Sequence, residues 1–362
     1  MRYHLALIAM LPLVVVAGPI GPNRPSSLGR DHLAQNPLQV VQSYGWEEPT
    51  DSPRPLSPLE ERYGGGVLSH ISGIAEGPDG ALYVGDRDFQ KIVVFNHDGS
   101  LRRVIVGGFG RGPGEFTMLW DLAVSDDGLI AVLDEALNRV SLFDTTGAFK
   151  GSFTILKGHP MQVMFGPGGL YVLQWVQLPD DPLVEVYSVE GERTGSYLTP
   201  DARELHFAHY GEPGCLSKKA DGTVIYVHPS PGLWFDVRAG AARPHGRELF
   251  PDVQGRTIKQ GNHGVLKIEV GTRGVVAAEQ DRIGVLYSRW MKPEAVTPQL
   301  PRYMLAVIDT LGNVQESVDL TAALGDGVYR PTPSRDPAEF YIANIDPYPR
   351  VMLVRTLPDR RR

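Results

Sequence analysis

The chain has 362 residues, 42% of them hydrophobic, with 41 glycines and 30 prolines, so it can bury a large core but is punctuated too often for long helices. Its net charge of −7, with no basic stripe beyond the terminal "DRRR", excludes nucleic acid as the natural partner, because phosphate binding needs clustered Lys and Arg.

The first segment, "MRYHLALIAMLPLVVVAGPIGPNRPSS", opens with Arg2, runs apolar from Leu5 to Val16 and offers small residues for cleavage at Ala17. This is the pattern of a secretory signal peptide, and the run is short for a bilayer span, which takes roughly 20 apolar residues. The expectation is a signal peptide over 1–17, a flexible lead-in over 18–36 and one domain over 37–362. An uncleaved anchor is the alternative; otherwise the protein is secreted or periplasmic, with no membrane span after cleavage, and is expected to be a monomer. Cys215 is the single cysteine, so no internal disulfide can form and stability has to come from packing. Without a motif around it, Cys215 reads as a small buried residue rather than a nucleophile.

From Ser72 the chain repeats itself. "SGIAEGPDGALYVGDRDFQKIVVFNHDGSLRRVIV" matches "WDLAVSDDGLIAVLDEALNRVSLFDTTGAFKGSF" at a constant shift, pairing Gly80 with Gly128, Asp86 with Asp134, Lys91 with Arg139, Phe95 with Phe143 and Gly99 with Gly147. Each unit holds four short apolar runs separated by Asp-Gly-type turns, and four strands per repeat of roughly 40 to 50 residues is the signature of a propeller blade. Fainter units follow: "MQVMFGPGGLYVLQWVQ" with "VEVYSVEGERTG", then "CLSKKADGTVIYVHPSPGLWFDVRAG", then "GVLKIEVGTRGVVAAEQ" with "YMLAVIDTLGNVQESVDL". The last unit supplies only three strands, near Tyr329, in "EFYIAN" and in "RVMLVRT". Its missing strand is found at the other end, where "LQVVQSYG", residues 38–45, resembles the outer strand of the first unit, "LRRVIVGGFG". The fold expected is all-β: a six-bladed propeller of four-stranded antiparallel blades, closed by an N-terminal strand pairing with the last blade, which removes an open edge. A two-sheet sandwich is the runner-up.

Within residues 70 to 155, "LYVGDRDFQKIVVFNHDGSL" and "IAVLDEALNRVSLFDTTGAF" resemble NHL repeats, and "GRGPGEF" is similar to the segment between blades in that group. The resemblance implies a propeller of the kind found in bacterial secreted proteins and little about function, since one fold hosts many. Six-bladed relatives include an amidating lyase with three channel histidines and a metal, and lactonases with a calcium ion held by acidic residues and Asn. The present chain has their blade pattern but not their site motifs.

"GGFGRGPGEF", residues 107–116, has the glycines of a phosphate loop but neither a following helix nor a lysine. It reads as the connector between the first two blades, which leaves Arg111 and Glu115 as candidate ligand contacts. If each blade runs from inner strand a to outer strand d, the a–b and c–d turns are short and uniform. The b–c loops and the connectors between blades are long and varied, which places ligand binding on their face. There Trp120, Trp175, Tyr287 and Trp290 could grip a peptide, a glycan or a partner protein, and His206, His209 and Glu212 join them as candidates. Tyr171 reads as core. His70 and His159 each lie ten residues before a turn glycine, Gly80 and Gly169, and the same count in the fifth blade, from Gly274, lands beside His263. These three histidines could hold a divalent metal ion in the central channel, with Glu212, His206 or His209 as further ligands. Asp86 and Asp134 read as backbone-bonding turn residues or, alternatively, calcium ligands. Two function classes follow: an exported binding or scaffold module, or a metal-dependent lyase or hydrolase at the channel mouth.

Overall fold

The structure, a computed structural model, describes residues 38–45, 68–175, 178, 180–199, 214–238, 244–250, 256–260, 263–267, 270–279, 281–289, 302–321, 328–344 and 349–356. The first strand, β1 (Leu38–Gly45), precedes blade one, which is β2 (Ile71–Glu76), β3 (Leu82–Asp86), β4 (Lys91–Phe95) and β5 (Leu101–Val106). Blade two is β6 (Leu119–Val124), β7 (Ile130–Asp134), β8 (Arg139–Phe143) and β9 (Phe149–Thr154). Blade three is β10 (Pro160–Gly166), β11 (Gly169–Gln174), β12 (Val184–Tyr187) and β13 (Arg193–Tyr197). Blade four is β14 (Cys215–Lys218), β15 (Val224–Val227), β16 (Leu233–Asp236) and β17 (Pro244–Gly246). A separate hairpin, β18 (Arg256–Gln260) and β19 (His263–Lys267), comes before blade five. Blade five is β20 (Val270–Ala278), β21 (Arg282–Arg289), β22 (Arg302–Asp309) and β23 (Val314–Asp319). Blade six takes β24 (Val328–Pro333), β25 (Glu339–Asn344) and β26 (Arg350–Thr356) from the end of the chain and β1 from its beginning, in the order β1-β26-β25-β24.

The inner strands close a ring, β2 beside β6, then β10, β14, β20 and β24, which returns to β2. Six separate four-stranded sheets make this a six-bladed β-propeller and not a sandwich. The turns explain why the repeat was visible: Gly80 and Gly128 sit at φ +75° and +87°, a region that costs glycine nothing and other residues a steric clash.

The core lies between the blades. Along β3, Leu82 and Val84 pack toward blade six, whereas Tyr83 packs with Leu119, Ile130 and Val132 of blade two. Both faces of a middle strand are therefore covered, and β3, β4 and β7 are buried along their whole length. Outer strands face water on one side, and β9 alternates accordingly. The closing strand pairs antiparallel with β26 from Leu38↔Thr356 to Gly45↔Arg350, with one bulge between Val40 and Gln42. Leu38 joins the core between blades five and six, and Tyr44 the core between blades six and one. One strand thus seals blade six to both its neighbours.

Blade five departs from the sequence-based expectation. Gly274 is not a turn; it lies inside β20, opposite Leu286, and β21 occupies part of the stretch that reads as a long loop. Register shifts at Thr272/Gly274 and Val275/Ala277 break the alternation by which a strand is recognised. The glycine serves close approach instead: a Cβ there would stand 2.6 Å from Pro331 Cγ on β24. Gly264 to Lys267, expected in blade five, belong to the β18–β19 hairpin.

Candidate functional site

Two regions gather chemistry. The first is the central channel, where a cavity of about 830 Å³ is lined by residues from all six inner strands. This is within the range of small-ligand pockets. Its wall on blades two and three is apolar, with Val124, Met161, Met164 and Phe165, whereas blades four to six bring Lys218, Arg273 and Arg335 to it. Several polar groups at the wall are committed to the ring itself. Asp121 accepts from Val163 N (3.0 Å), Gln162 accepts from Leu216 N (2.7 Å) and Lys219 pairs with Asp236 (2.7 Å). Glu76 accepts from Ser334 Oγ (3.1 Å) and Arg335 N (2.9 Å), tying blade six to blade one. Cys215 also lines the channel, and burial pushes its thiol up to about 12, far from the range of a nucleophilic cysteine.

The second region is the connector face of blades one to three. Asp86 accepts from Ser69 N (2.9 Å) and from Asp88 N in its own b–c turn (3.1 Å); Asp134 accepts from Thr117 N (2.7 Å), Met118 N (3.2 Å) and Leu137 N (3.2 Å). Both aspartates are fully buried and fasten the incoming connector to the b–c turn, which is the backbone-bonding role. The residue after each of them, and after Gln174, closes the same backbone bond in three blades: Arg87 N to His70 O (2.8 Å), Glu135 N to Met118 O (3.1 Å) and Trp175 N to His159 O (2.7 Å).

That repeated bond brings six side chains to equivalent places. The Arg87 guanidinium lies within hydrogen-bond distance of His70 Nδ1 (3.2 Å) and 5.6 Å from the centre of the Trp120 ring. His159 stacks on Trp175 at 5.3 Å and pairs through Nε2 with Glu135 (3.0 Å), and that bond raises the imidazole above its ordinary 6.5. In the b–c loops and connectors of the same face, Phe89, Phe109, Leu156 and Leu178 each stand more than half exposed. Phe109 and Leu156 are counterparts, since Gly108 N donates to Gln90 O (3.3 Å) and Ile155 N to Asn138 O (2.7 Å) one residue earlier.

The candidates read from the sequence separate accordingly. Trp120 borders both regions and Trp175 sits on the connector face. Arg111 and Glu115 hold their own connector: Arg139 donates to the Arg111 carbonyl (2.9 Å) and the Glu115 carboxylate accepts from Gly112 N (2.8 Å). Tyr287, expected on a loop, is a buried residue of β21 packed against Phe250, because the stretch around it is strand. Tyr171 is buried. His206, His209, Glu212 and Trp290 lie outside the described residues. His263 begins β19 in the added hairpin, so the count that aligned it with His70 and His159 does not hold. Among the described residues no three His, Cys, Asp or Glu side chains are placed to hold a metal ion. Sequence reasoning missed Arg87 and Glu135, although both occupy one repeat position, directly after the buried Asp.

Comparison with known proteins agrees with this architecture. The DUF5128 family, described as a 6-bladed beta-propeller, matches residues 67–179. No curated protein matches the chain. Among solved structures, a Bacteroides fragilis protein described as exported is 14% identical, with 90% of this chain and 96% of that one covered at a TM-score of 0.56. A member of the DUF4221 family from Bacteroides vulgatus is 10% identical over 89% of this chain and 100% of that one, also at 0.56. At such identities the likeness speaks for the fold, and sequence pattern, sheet topology and structural relatives agree that the chain is a six-bladed β-propeller.

Proposed function

We propose that this protein is an exported binding module whose partner is a polypeptide held on the connector face of blades one to three. The observation that carries the reading is that Phe89, Phe109, Leu156 and Leu178, all water-exposed, lie in b–c loops and connectors of blades one to three, on the same face as the His159–Trp175 stack. Large apolar side chains exposed together mark interaction surfaces, and aromatic and Arg anchors dominate their energetics. Aliphatic tips offer a sugar's hydroxyl groups no partner, which favours a polypeptide over a glycan. Export is supported by the Arg2, Leu5–Val16 and Ala17 pattern and by the likeness to a protein described as exported. Among the described residues no helix is long and apolar enough to cross a membrane.

Site-specific photocrosslinking tests the reading in cells that make the protein. Benzoylphenylalanine in place of Phe109 should give a discrete protein adduct, and the same group in place of Leu311, an exposed c–d turn residue on the opposite face, should give none. Adducts from both positions alike, or from Leu311 alone, would sink the proposal.

A further inference from the structure

The opposite end of the channel, on the a–b turn face, carries a cluster of charged side chains. Asp126, on the a–b turn of blade two, meets Arg335 on the a–b turn of blade six (3.3 Å) and Lys218 at the end of β14 in blade four (3.9 Å). Blades two, four and six are not neighbours. Side chains from alternate blades can meet only near the propeller axis, so these three converge over the channel mouth, and all three line the cavity.

Among themselves these three side chains carry two positive charges against one negative. Glu76 is held by Ser334 and Arg335 N, Asp121 by Val163 N, and Glu279 by Arg282 (2.8 Å). Asp126 is a carboxylate within ion-pair distance of both Lys218 and Arg335, and its side chain is 81% exposed. A carboxylate that exposed is held weakly, because exposed ion pairs gain little over hydration. Behind it the cavity offers an apolar wall of Met161, Met164 and Phe165.

We infer that this mouth is a binding site for an organic carboxylate with an apolar body, and that Asp126 fills the ligand's place between Lys218 and Arg335 until the ligand displaces it. The guanidinium and the ammonium take the incoming carboxylate, the apolar body lies along blade three, and the freed Asp126 side chain turns to water. A planar guanidinium suits a carboxylate in particular. The site is on the face opposite the polypeptide surface proposed above, so the two stand or fall separately.

Titration calorimetry on the full chain, at constant ionic strength, with phenylbutyrate, phenylbutanol and inorganic phosphate as probes tests the inference. Phenylbutyrate should bind, phenylbutanol about tenfold more weakly, and phosphate not measurably. In Asp126→Asn phenylbutyrate should bind about tenfold tighter, because two weak ion pairs no longer have to be broken first. Lys218→Met and Arg335→Met should each weaken it by a similar factor. Absence of binding to both the parent and Asp126→Asn would overturn the inference. So would equal binding of acid and alcohol, phosphate binding as well as the acid, or Asp126→Asn binding no tighter than the parent.

Discussion

Replacing Tyr44 by alanine should weaken the ring at its seam. Tyr44 is 1% exposed on the closing strand and meets Phe95 of blade one at 5.8 Å and Tyr341 of blade six at 6.0 Å, both at steep ring angles. Its hydroxyl donates to the His97 carbonyl at 3.3 Å. Truncating a buried aromatic costs about 3–5 kcal/mol, and the lost hydrogen bond adds up to about 1 kcal/mol. A loss of roughly 4 kcal/mol is a large part of a domain's ordinary 5–15 kcal/mol. Urea unfolding followed by tyrosine and tryptophan fluorescence measures it, with Val40→Ala on the same strand as control, since Val40 is 51% exposed and its change should stay within about 0.5 kcal/mol. A pH arm sharpens the test. Burial, chiefly, pushes the Tyr44 hydroxyl from 10.0 up to about 12. A raised folded value means the contribution is complete below pH 10 and is lost as pH rises toward about 12, and Tyr44→Phe should remove part of that alkaline loss. A Tyr44→Ala change below about 1 kcal/mol, or no larger than that of Val40→Ala, would refute the claim that β1 seals the ring through this side chain.

Two further outcomes are expected. His159 should titrate above the ordinary imidazole range by NMR because of its bond to Glu135, so its contribution to stability is complete below 6.5 and fades as pH rises through the raised value; Glu135→Gln should bring the titration back down, and an unmoved midpoint would contradict the pairing. Gly274→Ala should cost about 1–3 kcal/mol in a thermal melt, since the new methyl group meets Pro331, whereas Gly151→Ala on the outer strand β9, with nothing within 4 Å of its Cβ, should cost about 0.5 kcal/mol or less; equal costs would contradict the close approach of β20 and β24.

The blades were legible where turn chemistry and burial agree. Blades one and two have Asp-Gly turns, middle strands buried on both faces and a common buried Asp, so their spacing showed in the sequence. The closing strand showed for the same reason, as an outer strand without a blade. Blade five hid because its inner strand is bulged and carries a glycine for contact with Pro331, and that glycine mimics a turn. Tyr287 was misplaced with it. The connector face was half legible: Trp120 and Trp175 stood out as aromatics, but Arg87 and Glu135 look like ordinary turn residues until the backbone bond to the preceding connector is seen. The channel mouth could not be read at all. Arg335 and Asp126 are 209 residues apart, and no local pattern announces side chains that meet only because a ring has closed.

That closure also sets an order of events during synthesis. Leu38 waits for Thr356, so a chain made N-terminus first keeps β1 as a bare edge and its circle open until its end is made. Blades one to five can assemble from neighbouring sequence as they emerge, but blade six cannot exist before the C-terminal strands arrive. The last few strands to be delivered act as a clasp, and the channel with its charged mouth comes into being in the same step.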